Sequence, residues 1–285
     1  MSDDPTPATP NQWAEPEPEA TPAYKLRVER VSRVFRAPNR EAVSALEDVS
    51  LHVVRGEFLC IVGPSGCGKS TLLNLMAGLD KPTSGEIWLD GRRVTEPASD
   101  LSIIFQELGL FPWLTVRQNV EFGLRMRGMS RDDRRDRARF YLRLVQLAEF
   151  EDSYIHQLSG GMKQREALAR SLVMQPGVLF MDEPFAALDA QTRDLLHEEL
   201  ERIWKQTGQT IIFVTHNVRE AIRLGDRVLV MTFRPGRVKG VFPVELPRPR
   251  HLEDPELALM AREVLAQLKQ EIAKAVEEEF HAPKA

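Results

Sequence analysis

Apolar residues along the chain gather in short, β-branched runs separated by stretches with helical spacing. LRVERVSRVF (26–35), VSLHVV (49–54), EFLCIVG (57–63), GVLFMDEP (177–184), QTIIFVTH (209–216) and DRVLVMTF (226–233) carry the strand signal. Continuous apolar runs alternating with helical stretches predict buried, mostly parallel strands, and so an α/β fold built on a sheet. Residues 107–158 differ: their pattern is helical, and Ser130 and Asp133 have the spacing of a helix N-cap and its third residue. This predicts an α-helical subdomain at about 107–158, inserted into a sheet domain spanning 24–250. From 251 to 285, Leu257, Met260, Val264, Leu268, Ile272 and Val276 form one stripe behind Asp254 and Pro255. That stripe predicts a C-terminal amphipathic helix packed on its own domain.

Composition changes this picture at the N-terminus. Residues 1–23 hold Pro5, Pro7, Pro10, Pro16, Pro18 and Pro22 among acidic and small residues, with Trp13 the only large apolar group, which predicts a disordered tail. The remainder is ordinary globular material: 285 residues in all, 42% hydrophobic and 28% charged, enough for one large domain with a lobe. A formal charge of -4 gives no support to a nucleic-acid partner, and none is expected. Cys60 lies in an apolar run and Cys67 in a glycine-rich loop, so a disulfide between them would disrupt both elements; reduced thiols and a cytosolic compartment are expected. Apolar runs such as FLCIV fall far short of the roughly 20 residues that span a bilayer, and no signal peptide opens the chain. Work at a membrane would require another polypeptide to hold the protein there.

The chemistry begins at GPSGCGKST, comprising Gly63, Pro64, Ser65, Gly66, Cys67, Gly68, Lys69, Ser70 and Thr71. A strand-like run precedes it and a helix-like run follows, the context of a phosphate-binding P-loop, or Walker A motif. Glycines let successive N–H groups point at phosphate oxygens while the new helix offers its positive end. Lys69 is expected to reach the β- and γ-phosphates and Ser70 to hold Mg²⁺. A second acidic motif closes GVLFMDEP, where Asp182 and Glu183 are arranged for one carboxylate near Mg²⁺ and one aimed at water. His216 and Gln106 each close a strand-like run, at the sheet edge where ligands gather.

Between these motifs lies LSGGMKQR (158–165), and with it the chain resembles the ATP-binding cassette (ABC) ATPases over residues 24 to about 244. The order is that family's: P-loop, Gln106, signature, Asp182–Glu183, the ALD of 187–189, and His216. The resemblance implies a RecA-like P-loop core with an antiparallel β portion, binding ATP and Mg²⁺. It implies that Phe35 stacks on adenine, and that Ser70, Asp182 and Gln106 hold the metal. Lys69, Gln106, Glu183 and His216 would serve hydrolysis. It further implies a head-to-tail homodimer in which Ser159, Gly160 and Gly161 of one copy cover the ATP on the other's P-loop, with Asp189 at the twofold interface.

ELGLFPWLTVRQNV, MDEPFAALDAQTR and FRPGRV are similar to segments of nitrate, sulfonate and taurine importer ATPases. That likeness implies integral membrane permease subunits, a solute-binding protein and a peripheral place on the cytoplasmic face of the membrane. Phe111, Pro112, Trp113 and Leu114 either line a groove for a permease helix or fill the lobe's core. Leu108, Gly109 and Asn217 depart from the relatives' usual residues without touching the chemistry. The alternative is an ATPase of lipid trafficking or export, which would carry much the same motor.

Overall fold

The computed structural model describes residues 24–36 and 42–281, the side chains of 279–281 excepted. The tail expected at 1–23 lies outside the described residues. A six-stranded sheet has the order β10–β9–β3–β8–β7–β6, from β3 (Phe58–Val62), β6 (Leu101–Ile104), β7 (Val178–Asp182), β8 (Thr210–Thr215), β9 (Arg227–Met231) and β10 (Val238–Pro243). All its pairings are parallel except the edge pair β9–β10. Burial explains the continuous apolar runs: β3 and β8 are buried at every residue. Along β3, Phe58, Cys60 and Val62 enter one core while Leu59 and Ile61 enter the other. Side chains alternate, so a strand covered on both faces must be apolar throughout.

A second, antiparallel sheet has the order β2–β1–β4–β5, from β1 (Tyr24–Phe35), β2 (Val43–Val54), β4 (Ser84–Leu89) and β5 (Arg92–Arg93). Here the expectation of mostly parallel strands fails for LRVERVSRVF and VSLHVV. Their polar residues alternate with Leu26, Val28, Val49 and Val53, which are buried, so only one face of this sheet is covered. Helix α1 (Lys69–Met76) shares the core beneath it.

Between β6 and β7 lie α2 (Val116–Met126), α3 (Arg131–Leu144) and α4 (Gly160–Leu172). The Thr115 side chain caps α2 in a reciprocal capping box with Gln118, and the Ser130 side chain caps α3. Residues 107–114 precede α2 without helix. Helices α5 (Ala190–Thr207) and α6 (Val218–Leu224) follow β7 and β8, and α7 (Pro255–His281) packs on α6, β9 and β10. On α7 only the first half of the apolar stripe is covered: Leu257, Val264 and Leu268 are buried, whereas Ile272 and Val276 are exposed.

Candidate nucleotide site

Strand order places the chemistry. The loop after β3 is the P-loop, β8 beside it ends before His216, and β7 beyond that ends in Asp182 and Glu183. Parallel register aligns these ends, with Val62 opposite Thr215 and Asp182 opposite Val214. Strand spacing of about 4.8 Å then sets the P-loop, His216 and Glu183 side by side along one edge.

Gly66 and Gly68 take φ of +74° and +97°, the left-handed region that glycine enters without cost. Lys69 opens α1, buried, with its ammonium donating to the carbonyls of Gly63 at 2.9 Å and Pro64 at 3.0 Å. Its Nζ also lies 3.9 Å from Glu183 Oε1. Glu183 itself has φ of +46°, unusual for a side-chain-bearing residue, and its N–H donates to the Val214 carbonyl at 2.9 Å. That backbone bond fixes the strained residue to the neighbouring strand, and Glu183 Oε2 lies 3.0 Å from His216 Nδ1. A cavity of about 40 Å³ opens on this pair, bordered by Thr215 and Asn217, with room for a water molecule.

Asp182 is partly buried, and burial pushes its carboxyl pKa up against a hydrogen bond from Ser70 that lowers it. Asp182 Oδ1 is buried with no hydrogen-bond partner. A hydroxyl and an under-satisfied carboxylate are hard oxygen donors and fit Mg²⁺, which takes one or two carboxylates and completes its shell with phosphates and water. Gln106 is exposed, just beyond the end of β6. Ser65 and Ser70 are exposed, and Thr71 follows in the first turn of α1. The Cys67 thiol is buried, which raises its pKa, so the loop holds a thiol of low reactivity. Phe35 ends β1, paired with Val43, 42% exposed, with the Arg33 guanidinium 4.5 Å over its ring.

The signature stands apart from this cluster. Ser159 caps α4, its hydroxyl accepting the Met162 N–H at 3.3 Å, and together with Gly160 it is exposed. Gly161 is buried instead; a Cβ there would come within 2.7 Å of Thr192 on α5, so its smallness serves packing inside the chain. Asp189 caps α5, and the Thr192 N–H it accepts at 2.9 Å holds its carboxyl below the ordinary range. Ser159 and Gly161 line a cavity of about 580 Å³ between α4 and α5, while Gly63 to Gly66 line another of about 560 Å³. No residue borders both.

The ABC transporter family model matches residues 46–186. An uncharacterised ABC transporter ATP-binding protein of Methanocaldococcus jannaschii is 47% identical over 88% of this chain and 94% of its own length. The chain belongs to the ABC transporter ATPases. The nitrate import ATP-binding protein NrtD of Synechocystis is 51% identical to the cassette over 78% of this chain and 83% of its own. The taurine import ATP-binding protein TauB of Roseobacter denitrificans is 47% identical over 75% and 80%. Among solved structures, a dimeric, post-hydrolysis ATP-binding cassette bound to ADP and Pi superposes with a TM-score of 0.68 at 33% identity, covering 78% of this chain and 100% of that one.

Several residues that hold this cassette's site in place carry no local sequence signal. Thr215 and His197 both bond Glu220, the His197 contact at 2.7 Å, while the Asn217 N–H donates to Thr215 Oγ1 at 3.0 Å; this buried network anchors the base of the His216 loop. Arg193 donates to the carbonyls of Phe185 and Leu188, stiffening the segment between Glu183 and Asp189. Gln164, on the signature helix, donates to the Pro184 carbonyl and so ties α4 to the residue after Glu183. His197 and Glu220 are 23 positions apart and Gln164 and Pro184 are 20 apart, pairings that a single sequence does not reveal. No helix among the described residues is long and apolar enough to cross a membrane.

Proposed function

We propose that the cassette binds ATP with Mg²⁺ and hydrolyses it, with Glu183 as the group that orients and deprotonates water. The observation that carries this is Glu183, held at φ +46° between Lys69 and His216 at the edge of a water-sized cavity. Water oxygen bonds to the γ-phosphorus as the bond to the β-bridging oxygen breaks, and the proton passes to Glu183. His216, bonded to the same carboxylate, contacts the γ-phosphate. Lys69 exchanges its bonds to the loop carbonyls for phosphate oxygens and spreads the developing charge. Ser70, Asp182 and Gln106 would hold Mg²⁺, which would supply charge neutralisation at the phosphates.

The exposed Ser159 hydroxyl and α4 N-terminus, remote from the chain's own P-loop, support a head-to-tail dimer in which they cover the partner's ATP. Relatives named for nitrate and taurine import support a peripheral role on the cytoplasmic face of the membrane. There the cassette drives uptake of a small anionic or zwitterionic solute through a permease served by a solute-binding protein. Replacing Glu183 with Gln should leave ATP binding intact and slow hydrolysis by roughly 10²-fold or more, trapping an ATP-bound dimer visible on size exclusion. Near wild-type turnover would refute the assigned role.

A further inference from the structure

FRPGRV (233–238) has no part in the chemistry above, yet it lies against the P-loop. Strand β9 neighbours β3, so the turn after Met231 emerges beside the loop that follows Val62. Arg234 Nε donates to the Gly66 carbonyl at 2.9 Å. Gly236 sits flush against the next peptide: a Cβ there would stand 2.2 Å from the Cys67 carbonyl oxygen, so no side chain fits. Gly236 is also stitched to β2, its N–H donating to Ala45 O at 2.9 Å and its carbonyl accepting the Glu47 N–H at 3.0 Å. One turn therefore backs two consecutive P-loop carbonyls.

In a planar trans peptide the C=O and N–H point in opposite directions. A Gly66 carbonyl held outward by Arg234 thus sends the Cys67 N–H inward, and it does point back across the loop, 3.4 Å from Pro64 O. The Cys67 carbonyl, turned toward Gly236, does the same for the Gly68 N–H. The turn is in turn held by the C-terminal helix. Glu271, buried on α7, accepts the Phe233 N–H at 2.9 Å and a bond from Lys239 at 2.8 Å. Glu278 lies 3.4 Å from Arg234 Nη1.

We propose that Arg234 is a positioning residue for nucleotide binding, aiming the Gly66–Cys67 peptide at the phosphates from a turn that α7 holds in place. The proposal rests on the nucleotide-binding reading above and extends it: the C-terminal helix bears on nucleotide affinity through the turn it holds. Arg234→Ala should raise the KM for ATP and the Kd for ADP by about five- to tenfold, the worth of one hydrogen bond, with kcat nearly unchanged. Gly236→Ala, which pushes on the adjacent peptide, should move both constants the same way. The melting temperature of nucleotide-free Arg234→Ala should stay near wild type; should that variant fail to fold, Arg234→Gln carries the same test. The deficit should persist in about 1 M salt, where the Debye length is about 3 Å and simple charge attraction is screened. An unchanged KM, or a deficit that vanishes with salt, would overturn the positioning role. If wild-type protein bound no nucleotide, or Lys69→Ala bound it as tightly, the nucleotide-binding reading itself would fall instead.

Discussion

Glu166 is a residue whose chemistry the fold alters. It sits on α4, fully buried, with neither carboxylate oxygen hydrogen-bonded. Burial pushes its pKa up to about 8, opposed only in part by Arg170. Arg170 is engaged elsewhere, donating to the carbonyls of Leu108 and Gly109 beside the ring of Phe111. A carboxyl whose folded pKa lies above its unfolded one binds a proton more tightly in the native state, so stability is greatest at low pH and is lost as pH rises through the folded pKa. Wild-type protein should therefore lose denaturation midpoint between about pH 4.5 and pH 8 from this group, and Glu166→Gln should remove that slope and gain stability at alkaline pH. Denaturant titrations of the two proteins across that range decide it; parallel curves would show that Glu166 is ionised without penalty.

Among elements, the segment between β6 and α2 has split roles. Phe111 is half-buried, its ring centroid 4.5 Å from Phe122, and the Asn119 side chain accepts the Phe111 N–H at 2.8 Å while donating to its carbonyl at 3.1 Å. Pro112 is exposed and Trp113 is 70% exposed, its ring centroid 5.7 Å from that of Phe111 in a tilted arrangement. Phe111 thus serves the lobe, while Trp113 leaves most of its indole surface exposed, free for the proposed permease contact. Trp113→Ala should shift folding stability by no more than about 0.5 kcal/mol, as at other exposed sites, while weakening pull-down of co-expressed permease. A large drop in melting temperature would return Trp113 to the core.

At the scale of the molecule, P-loop and signature border different cavities, and the proposed head-to-tail dimer would let both face one ATP. Heterodimers of differently tagged subunits test it, with Lys69→Ala as the P-loop lesion and Ser159→Arg as the signature lesion. Both lesions in one subunit should damage both sites and abolish ATPase activity. One lesion in each subunit should gather the damage at a single site and leave measurable turnover at the other. Nucleotide trapping measured alongside guards against coupling that silences both forms. Activity confined to the dimer with both lesions in one chain would refute the shared site.

What the sequence by itself determined is local: a loop whose glycines admit positive φ, strands apolar at every position, and caps such as Ser130, each set by residues close in the chain. Motif order also carried the family, because Gly63 to Thr71, LSGGMKQR and Asp182–Glu183 are contiguous stretches. Parallel against antiparallel was legible only in part, since β1 and β2 have the same β-branched composition as the central strands and differ in how many faces are covered. The tertiary structure alone decided which strands are neighbours, and so that His216 stands between the P-loop and Glu183 and that Arg234 meets Gly66 across 168 positions of chain. It likewise gave Gly161 to the packing of α5 and left Ile272 and Val276 uncovered. Local rules fix a residue's backbone and its preferred face; which atoms meet that face depends on sheet order and helix packing, which no short stretch of chain encodes.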